Sequence, residues 1–335
     1  MTNQTPDQPD FFVCDIFDAA PKGDMASMEH PVFALSTKPD TSVRIYEHRG
    51  MTLKVTPSVE GLATVYDRDI LIYCISQIIR AMNDDRPVSK VVRFQAADML
   101  RATNRQTTGR YYELLRAGLE RLAGTRISTN ITTGGQEVFE NFGLVERSRI
   151  VRETRDGRMQ EIEVVLSDWV FNAIKAKEVL TLSRDYFRLR KPIERRLYEL
   201  ARKHCGIQRE WRIGLDLLRM KCGSSSAPKK FRELIRAIIE EDERDSHIPD
   251  YAIRMDDEGQ TVLFVSRGSV PDAKDAIEVP QLDPDIYEMA REVAPGWDLR
   301  YIEQEWRMWV KEKPKNPEIA FLGFCRKWYE RRGSP

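Results

Sequence analysis

Two short polar segments carry side chains able to grip a polyanion and to meet the edges of bases. The first is Asn104-Arg105-Gln106-Thr107-Thr108-Gly109-Arg110, with Arg116 beyond it. The second is Ser224-Ser225-Ser226-Ala227-Pro228-Lys229-Lys230, with Arg232 and Arg236 beyond it. Guanidinium and carboxamide groups match the donor and acceptor pairs that guanine and adenine show in a major groove. Hydroxyls, ammonium groups and the free N–H groups of a helix start hold phosphate and carry no base information. The first segment therefore suits base discrimination, and the second suits phosphate contact.

Such groups act only if something rigid presents them. At 100° per residue, Tyr111, Leu115, Gly118, Leu119 and Leu122 fall on one side of a helix, and Arg110, Glu113, Arg116, Ala117 and Glu120 on the other. Taken alone, this is also the pattern of an ordinary surface helix. Its neighbours are more specific. From Asp67, DRDILIYCISQIIRAMN is apolar nearly all round and predicts a buried helix containing Cys74. KVVRF then predicts a strand and QAADMLRAT a short helix, followed by the amphipathic helix itself. TRISTNIT, a Gly134-Gly135 turn, and the β runs GLVERSRIVRE and MQEIEVVL around Asp156-Gly157 complete the unit. Helix, strand, helix, helix, hairpin is the order of a winged helix-turn-helix.

The second half repeats this order. KPIERRLYELARKH reads as a long helix with Arg195, Arg196, Arg202 and Lys203 opposite its Leu stripe; WRI and LDLLRMKC follow as strand and short helix. SSSAPKKFRELIRAIIEED is the long helix, with Pro228 in its first turn, Ser225 or Ser226 near its cap, and Phe231, Leu234, Ile235, Ile238 and Ile239 as its core stripe. YAIRMDDEGQTVLFVS supplies the hairpin. Asp98-Met99-Leu100-Arg101 and Asp216-Leu217-Leu218-Arg219 precede Glu-Leu-Leu at Glu113 and Glu-Leu-Ile at Glu233, so the repeat is visible in residues as well as in order. The fold class expected is α+β: two winged helix-turn-helix domains in tandem plus a small C-terminal helical domain. The boundaries expected are an N-terminal arm with short β segments over 1–55, a first domain over 56–176, a second over 177–270, and a helical module over 280–335. SDWVFNAIKAK, capped by Ser167, reads as a helix able to set the phase between the two domains. In a winged helix-turn-helix the third helix enters the major groove by its N-terminal end. Because Glu113, Glu120 and Glu240 lie on or near the outward faces, only the first turns of the two long helices should approach DNA closely.

Charge agrees once it is counted regionally. The 335-residue chain has a formal net charge of zero, yet residues 86–130 hold nine Lys or Arg against three Asp or Glu, and residues 184–236 hold sixteen against six. Compensating acid gathers in Glu240-Glu241-Asp242-Glu243 and Asp256-Asp257-Glu258. Two basic segments imply two contact surfaces. With 41% hydrophobic and 32% charged residues, no long apolar run and no secretory leader, the chain is expected to be cytoplasmic and not membrane-bound. Its five cysteines form no Cys-x-x-Cys pair and read as free thiols; His204, Cys205 and Cys222 lack a fourth ligand at finger spacing, so no metal or other cofactor is expected. The four histidines, His30, His48, His204 and His247, are too scattered for a nicking centre, and no Gly-x4-Gly-Lys-Ser/Thr phosphate loop occurs. No enzyme activity is expected.

The chain resembles the replication initiator proteins of bacterial plasmids, of the RepA type with paired winged helices. The resemblance is carried by MEHPVFALSTKPD (28–40), GLATVYDRDILIYC (61–74), DYFRLRKPIERRLYELARKHCG (185–206) and AFLGFCRKW (320–328). It implies a protein that binds repeated double-stranded sites at a plasmid origin, promotes origin opening, and recruits host replication proteins such as a helicase or initiator. It also implies autorepression and a homodimer that exchanges with an origin-binding monomer. A sequence-specific transcriptional repressor without initiator activity is the alternative, since it would use the same parts. The last segment reads as three helices, DPDIYEMAREV, LRYIEQEWRMWVKEK and PEIAFLGFCRKWYERR, whose Trp297, Trp306, Trp309 and Trp328 either form their own core or dock a partner.

Overall fold

A helix that is apolar on every side needs elements on every side, and residues 68–83 organise the N-terminal half for that reason. The computed structural model describes residues 21–36, 38–48, 51–133, 136–152, 159–176 and 178–268. Toward the C-terminus it describes 282–283, 285–297, 299, 302–303, 306 and 314–334. The chain opens with β1 (Lys22–Asp24), α1 (Met25–Glu29), β2 (Arg44–His48) and β3 (Met51–Thr56). A first unit follows: α2 (Arg68–Asn83), β4 (Val91–Gln95), α3 (Ala96–Ala102) and α4 (Gly109–Gly124), then β5 (Arg126–Thr133), β6 (Gln136–Gly143), β7 (Val145–Arg152) and β8 (Met159–Leu166). Next come α5 (Asp168–Lys175) and β9 (Val179–Thr181). The second unit is α6 (Pro192–His204), β10 (Glu210–Gly214), α7 (Leu215–Cys222), α8 (Pro228–Asp245), β11 (Tyr251–Met255) and β12 (Thr261–Ser266).

The two units share one topology. The first strand, β4 or β10, pairs with the last, β8 or β12, which in turn pairs with the middle strand, β7 or β11; both sheets are three-stranded and antiparallel. The first unit differs by an insertion. Between α4 and β7 it carries the β5–β6 hairpin, which joins β2 and β3 in a four-stranded sheet of order β2-β3-β5-β6. TRISTNIT therefore belongs to that added sheet, and the hairpin equivalent to β11–β12 is β7–β8. The Gly134-Gly135 and Asp156-Gly157 turns lie outside the described residues.

The N-terminal segment is built into both units. β3 pairs with β5, whereas β1 pairs with β9 (Gly23 opposite Leu180) and α1 lies against α6. The boundary expected at residue 55 thus falls within β3. Two apolar clusters result, one around Ile70, Leu71, Leu115, Leu119 and Ile162 and the other around Leu197, Leu200, Phe231, Ile235 and Phe264. Of the three C-terminal helices expected, α9 (Ile286–Val293) and α10 (Pro317–Arg332) are described, and the middle one lies mostly outside the described residues. Trp306, Phe321, Cys325 and Trp328 are buried and belong to the second cluster. Trp309 lies outside the described residues.

Where α4 crosses the start of α2, a side chain would not fit. A Cβ on Gly118 would stand 2.7 Å from Asp67 Oδ1. That carboxylate cannot retreat, because Arg121 donates to it from Nε at 2.8 Å and Nη2 at 2.7 Å, and the Thr64 N–H at 2.8 Å. Alanine would gain about 1 kcal/mol in helix propensity, but forcing atoms into a filled site costs about 1–3 kcal/mol. Gly118→Ala is therefore expected to lower the thermal midpoint; an unchanged or raised midpoint would show that the Asp67–Arg121 pair can shift.

Candidate nucleic-acid interface

α4 and α8 hold equivalent places in the two units, each entered from a short helix through a tight turn. Asn104, at φ 55°, reverses the chain after α3, and Gly223, at φ 68°, does so after α7. The left-handed conformation is tolerated by Asn and free of cost for Gly, so Asn104 has a backbone role besides any contact it makes. Arg105 N–H closes the first turn by donating to Leu100 O at 2.8 Å, and Ser224 N–H closes the second on Arg219 O at 3.1 Å.

Beyond the turn, Gln106, Thr107, Thr108, Gly109 and Arg110 are all exposed, as are Ser225, Ala227, Pro228, Lys229 and Lys230 at the other helix; Ser224 and Ser226 are half-buried. Thr108 and Ala227 are the residues at the cap, and neither caps its helix through a side chain, which leaves the N–H groups of Gly109 and Arg110 in α4, and of Lys229 and Lys230 in α8, unclaimed by the cap. Neither Ser225 nor Ser226 serves as the cap. Ser224 Oγ instead accepts from Ser226 N at 3.3 Å, while Pro228 takes the first-turn position expected of it. Among the described residues, Arg110, Lys229 and Lys230 have no carboxylate partner.

Other residues of the expected set are partly engaged. Arg116 pairs with Glu120 one turn later at 3.1 Å on an exposed surface, a contact of little energetic weight that a phosphate could displace. Arg232 Nε donates to Gly259 O at 3.0 Å, and the Arg236 guanidinium lies against the same glycine, so both brace the β11–β12 turn from α8. Leu234, expected in the core stripe, is exposed, and so is Leu114 at the same position of α4. Phe231, Ile235, Ile238 and Ile239 are buried as the periodicity requires.

Arg105 departs from the expected role. Its Nη2 donates to Asp69 Oδ2 and to Tyr66 O, each at 2.6 Å, and its side chain is only 12% exposed. It therefore faces inward, toward a buried ionic cluster where α2 meets α6. Asp69 Oδ1 accepts from Arg195 Nη1 at 2.6 Å, and Arg68 Nη1 lies 2.5 Å from Glu199 Oε1. Glu199 also accepts from Tyr186 Oη at 2.6 Å and from Arg196 Nη1 at 3.2 Å. Burial would lower the Arg68 and Arg195 guanidinium pKa values, but the facing Glu199 and Asp69 carboxylates hold both above the ordinary range. Tyr186 is pushed well above its ordinary value by burial and by Glu199.

The polar face expected on α6 is accordingly buried. Arg195, Arg196 and Arg202 are shielded, with Arg202 Nε donating to Thr181 O at 2.7 Å, and Lys203 sits 3.0 Å from Glu29. Arg195, Arg196 and Arg202 of the basic segment 184–236 are thus spent between the units. Exposed basic residues remain at the two helix starts and also at Arg184, Arg188, Arg190, Arg209 and Arg212.

The described residues offer little to a metal. Cys205 and Cys222 are buried in the second cluster, and burial pushes their thiols up to about 12. His204 stacks on Trp211 and contacts Glu29 at 2.9 Å. Glu194, Glu241 and His247 converge, but Lys191 Nζ stands 3.0 Å from Glu194 and pairs with Glu241, supplying the cation there. No helix of the described residues is long and apolar enough to cross a membrane.

Known proteins resemble this chain in sequence and in fold. Over 263 residues, 77% of this chain, it is 37% identical to a protein of Wigglesworthia glossinidia brevipalpis named for a role in replication, of which 94% is covered. Crystal structures of domains 2 and 3 of RctB superpose with TM-scores of 0.53 and 0.50 at 12% and 13% identity. They cover 70% and 72% of this chain and 94% and 96% of those chains, a likeness of fold. The family model for replication initiator protein A matches residues 22–253, which hold both helix starts and the first three-stranded sheet, and the chain belongs to that family of replication initiators.

Proposed function

We propose that the protein initiates plasmid replication by binding double-stranded origin DNA through two winged-helix domains in tandem, with α4 and α8 entering successive major grooves. The observation that carries this reading is the duplication. Two units of one topology each present the exposed, basic start of their third helix, Gln106 to Arg110 in one and Lys229 with Lys230 in the other. In this reading the domains are 56–176 and 177–270, the arm is 1–55, whose described elements β1, α1 and β3 brace both, and the module at 280–335 is the candidate site for host replication proteins. Origin opening, autorepression, exchange between dimer and monomer, and residence in the cytoplasm are part of this proposal, supported by membership of the initiator family. The deciding experiment supplies the protein in trans to a plasmid that carries only the cognate origin. Replication supports an initiator; silencing of a promoter without replication would make it a repressor.

The two helix starts are expected to behave differently. Arg110→Ala should cost about 1–3 kcal/mol on the preferred site and relax preference at one base position, as loss of a guanine contact does. Lys229→Ala and Lys230→Ala should weaken all sequences alike, each lowering the salt slope by about one. Selection from random duplexes followed by salt titration separates the two effects. Unchanged base preference in Arg110→Ala would move base reading away from α4.

A further inference from the structure

Aligned by their buried stripes, Leu115, Gly118 and Leu119 with Ile235, Ile238 and Ile239, α4 and α8 read Arg110-Tyr-Tyr-Glu-Leu-Leu-Arg-Ala117 and Lys230-Phe-Arg-Glu-Leu-Ile-Arg-Ala237. The outward positions match most closely. Arg110, Glu113, Leu114 and Ala117 fall within one arc of about 100° on α4, and Lys230, Glu233, Leu234 and Ala237 fall within the same arc on α8. Each arc therefore carries a cation, a carboxylate, a leucine and an alanine in the same order.

The leucines are the odd members. Leu114 is 45% exposed and Leu234 36%, while the other large aliphatic residues of these helices, such as Leu115, Leu119, Ile235 and Ile238, are buried. One exposed leucine on a surface is commonplace and needs no explanation. The same leucine at the same position of two duplicated helices, one turn after an exposed cation that has no carboxylate partner among the described residues, is a different observation. A partner matching that arc must be negatively charged at the cation, offer a hydrogen-bond donor to the carboxylate beside the leucine, and present a small apolar group about one helical turn from the cation. The major groove does so, with phosphates along its rim, and base amino groups and the thymine C5 methyl on its floor.

We propose that Leu114 and Leu234 are equivalent specificity residues, each packing on a thymine methyl in its own groove. The binding site therefore consists of two boxes that share a thymine at the corresponding position. This rests on the DNA-binding reading above. Each leucine sits one turn inside its helix, close enough to the leading end to follow Arg110 or Lys230 into the groove.

The test uses the full-length chain and the duplex it selects from a random-sequence pool. Each thymine is replaced in turn by deoxyuridine, which lacks only the C5 methyl. One replacement in each box is expected to weaken binding about fourfold, which is what burying a single methyl-sized group is worth. Leu114→Ala is expected to abolish sensitivity in one box and Leu234→Ala in the other, each with several-fold weaker binding to unmodified DNA. Both leucines are exposed and alanine is a strong helix former, so folding, followed by circular dichroism, should be retained. Sequence-preferring binding that tolerates every deoxyuridine, or a sensitivity that survives both substitutions, would overturn the proposal and leave DNA binding standing. If no duplex is selected from the pool, the DNA-binding reading fails and the proposal fails with it.

Discussion

Asp69→Ala is expected to destabilise the protein by about 3–5 kcal/mol, the range observed when one partner of a buried ion pair is removed. The carboxylate is fully buried and is shared by the guanidinium groups of Arg195 and Arg105, each at 2.6 Å. Removing it leaves Arg195, itself shielded and flanked by the Tyr66 and Tyr186 rings at 4.9 and 5.2 Å, charged with no anion beside it other than what the cluster can rearrange. The loss should show in chemical denaturation. A double-mutant cycle with Arg195→Met should recover part of it, because an apolar pair of similar volume escapes the desolvation cost that a lone buried charge retains. Since Arg105 anchors the turn before α4 to the same carboxylate, Asp69→Ala should also weaken DNA binding under conditions where the variant is still folded. A loss of stability below about 1 kcal/mol would show that the α2–α6 contact is held by apolar surface, with the ions as passengers.

That cluster also marks the limit of what the sequence makes legible. The face of α4 can be read directly, because a 3.6-residue period places Leu115, Gly118, Leu119 and Leu122 inward and the structure buries all four. α2 is equally plain, since its apolar residues run all round, and the Ser167 cap of α5 accepts from Val170 N as its position implies. The order of elements in the two units and the Asp-x-Leu-Arg signatures are likewise visible without coordinates. α6 is not. Arg195, Arg196 and Arg202 have the spacing of a solvated face, and periodicity cannot separate a face turned to water from one turned to buried counter-charges. The carboxylate that answers Arg195 lies 126 residues earlier in the chain. Arg105 is misread for the same reason: its chemistry suits a guanine edge, but Asp69 lies 36 residues before it in sequence and 2.6 Å away in space. Leu234 fails differently. Within Leu-Ile-Arg-Ala-Ile-Ile the apolar residues are dense enough to make the stripe look one position wider than it is, and only the match to Leu114 in the other unit signals that it faces out.

The largest functional effect is expected from disabling one helix in the intact chain. Lys229→Glu with Lys230→Glu should weaken binding to the full site by about 10² or more, because the second contact of a linked pair is intramolecular and is lost as a whole. Two third helices facing one side of B-DNA meet major grooves about one helical turn apart, roughly 10 bp centre to centre, so the protected region should contract from about two turns to about one. Arg110→Glu should give the mirror result, with protection kept at the other end. The substitutions belong in the full chain because the units are not separable at the connector: β1 pairs with β9, and Arg68 and Asp69 of α2 find their counter-charges on α6. Cutting between α5 and β9 would strand half of that buried charge on each fragment, and loss of binding by a fragment would then report unfolding as much as loss of a groove contact. The charge-reversed residues are exposed at a helix start, where two glutamates are favoured by the helix dipole, so the fold should persist while phosphate is repelled. Should the α8 variant keep the affinity and footprint of the unmodified protein at fixed salt, α8 does not contact DNA, and the second basic helix start is there for a different polyanion or for an acidic protein surface.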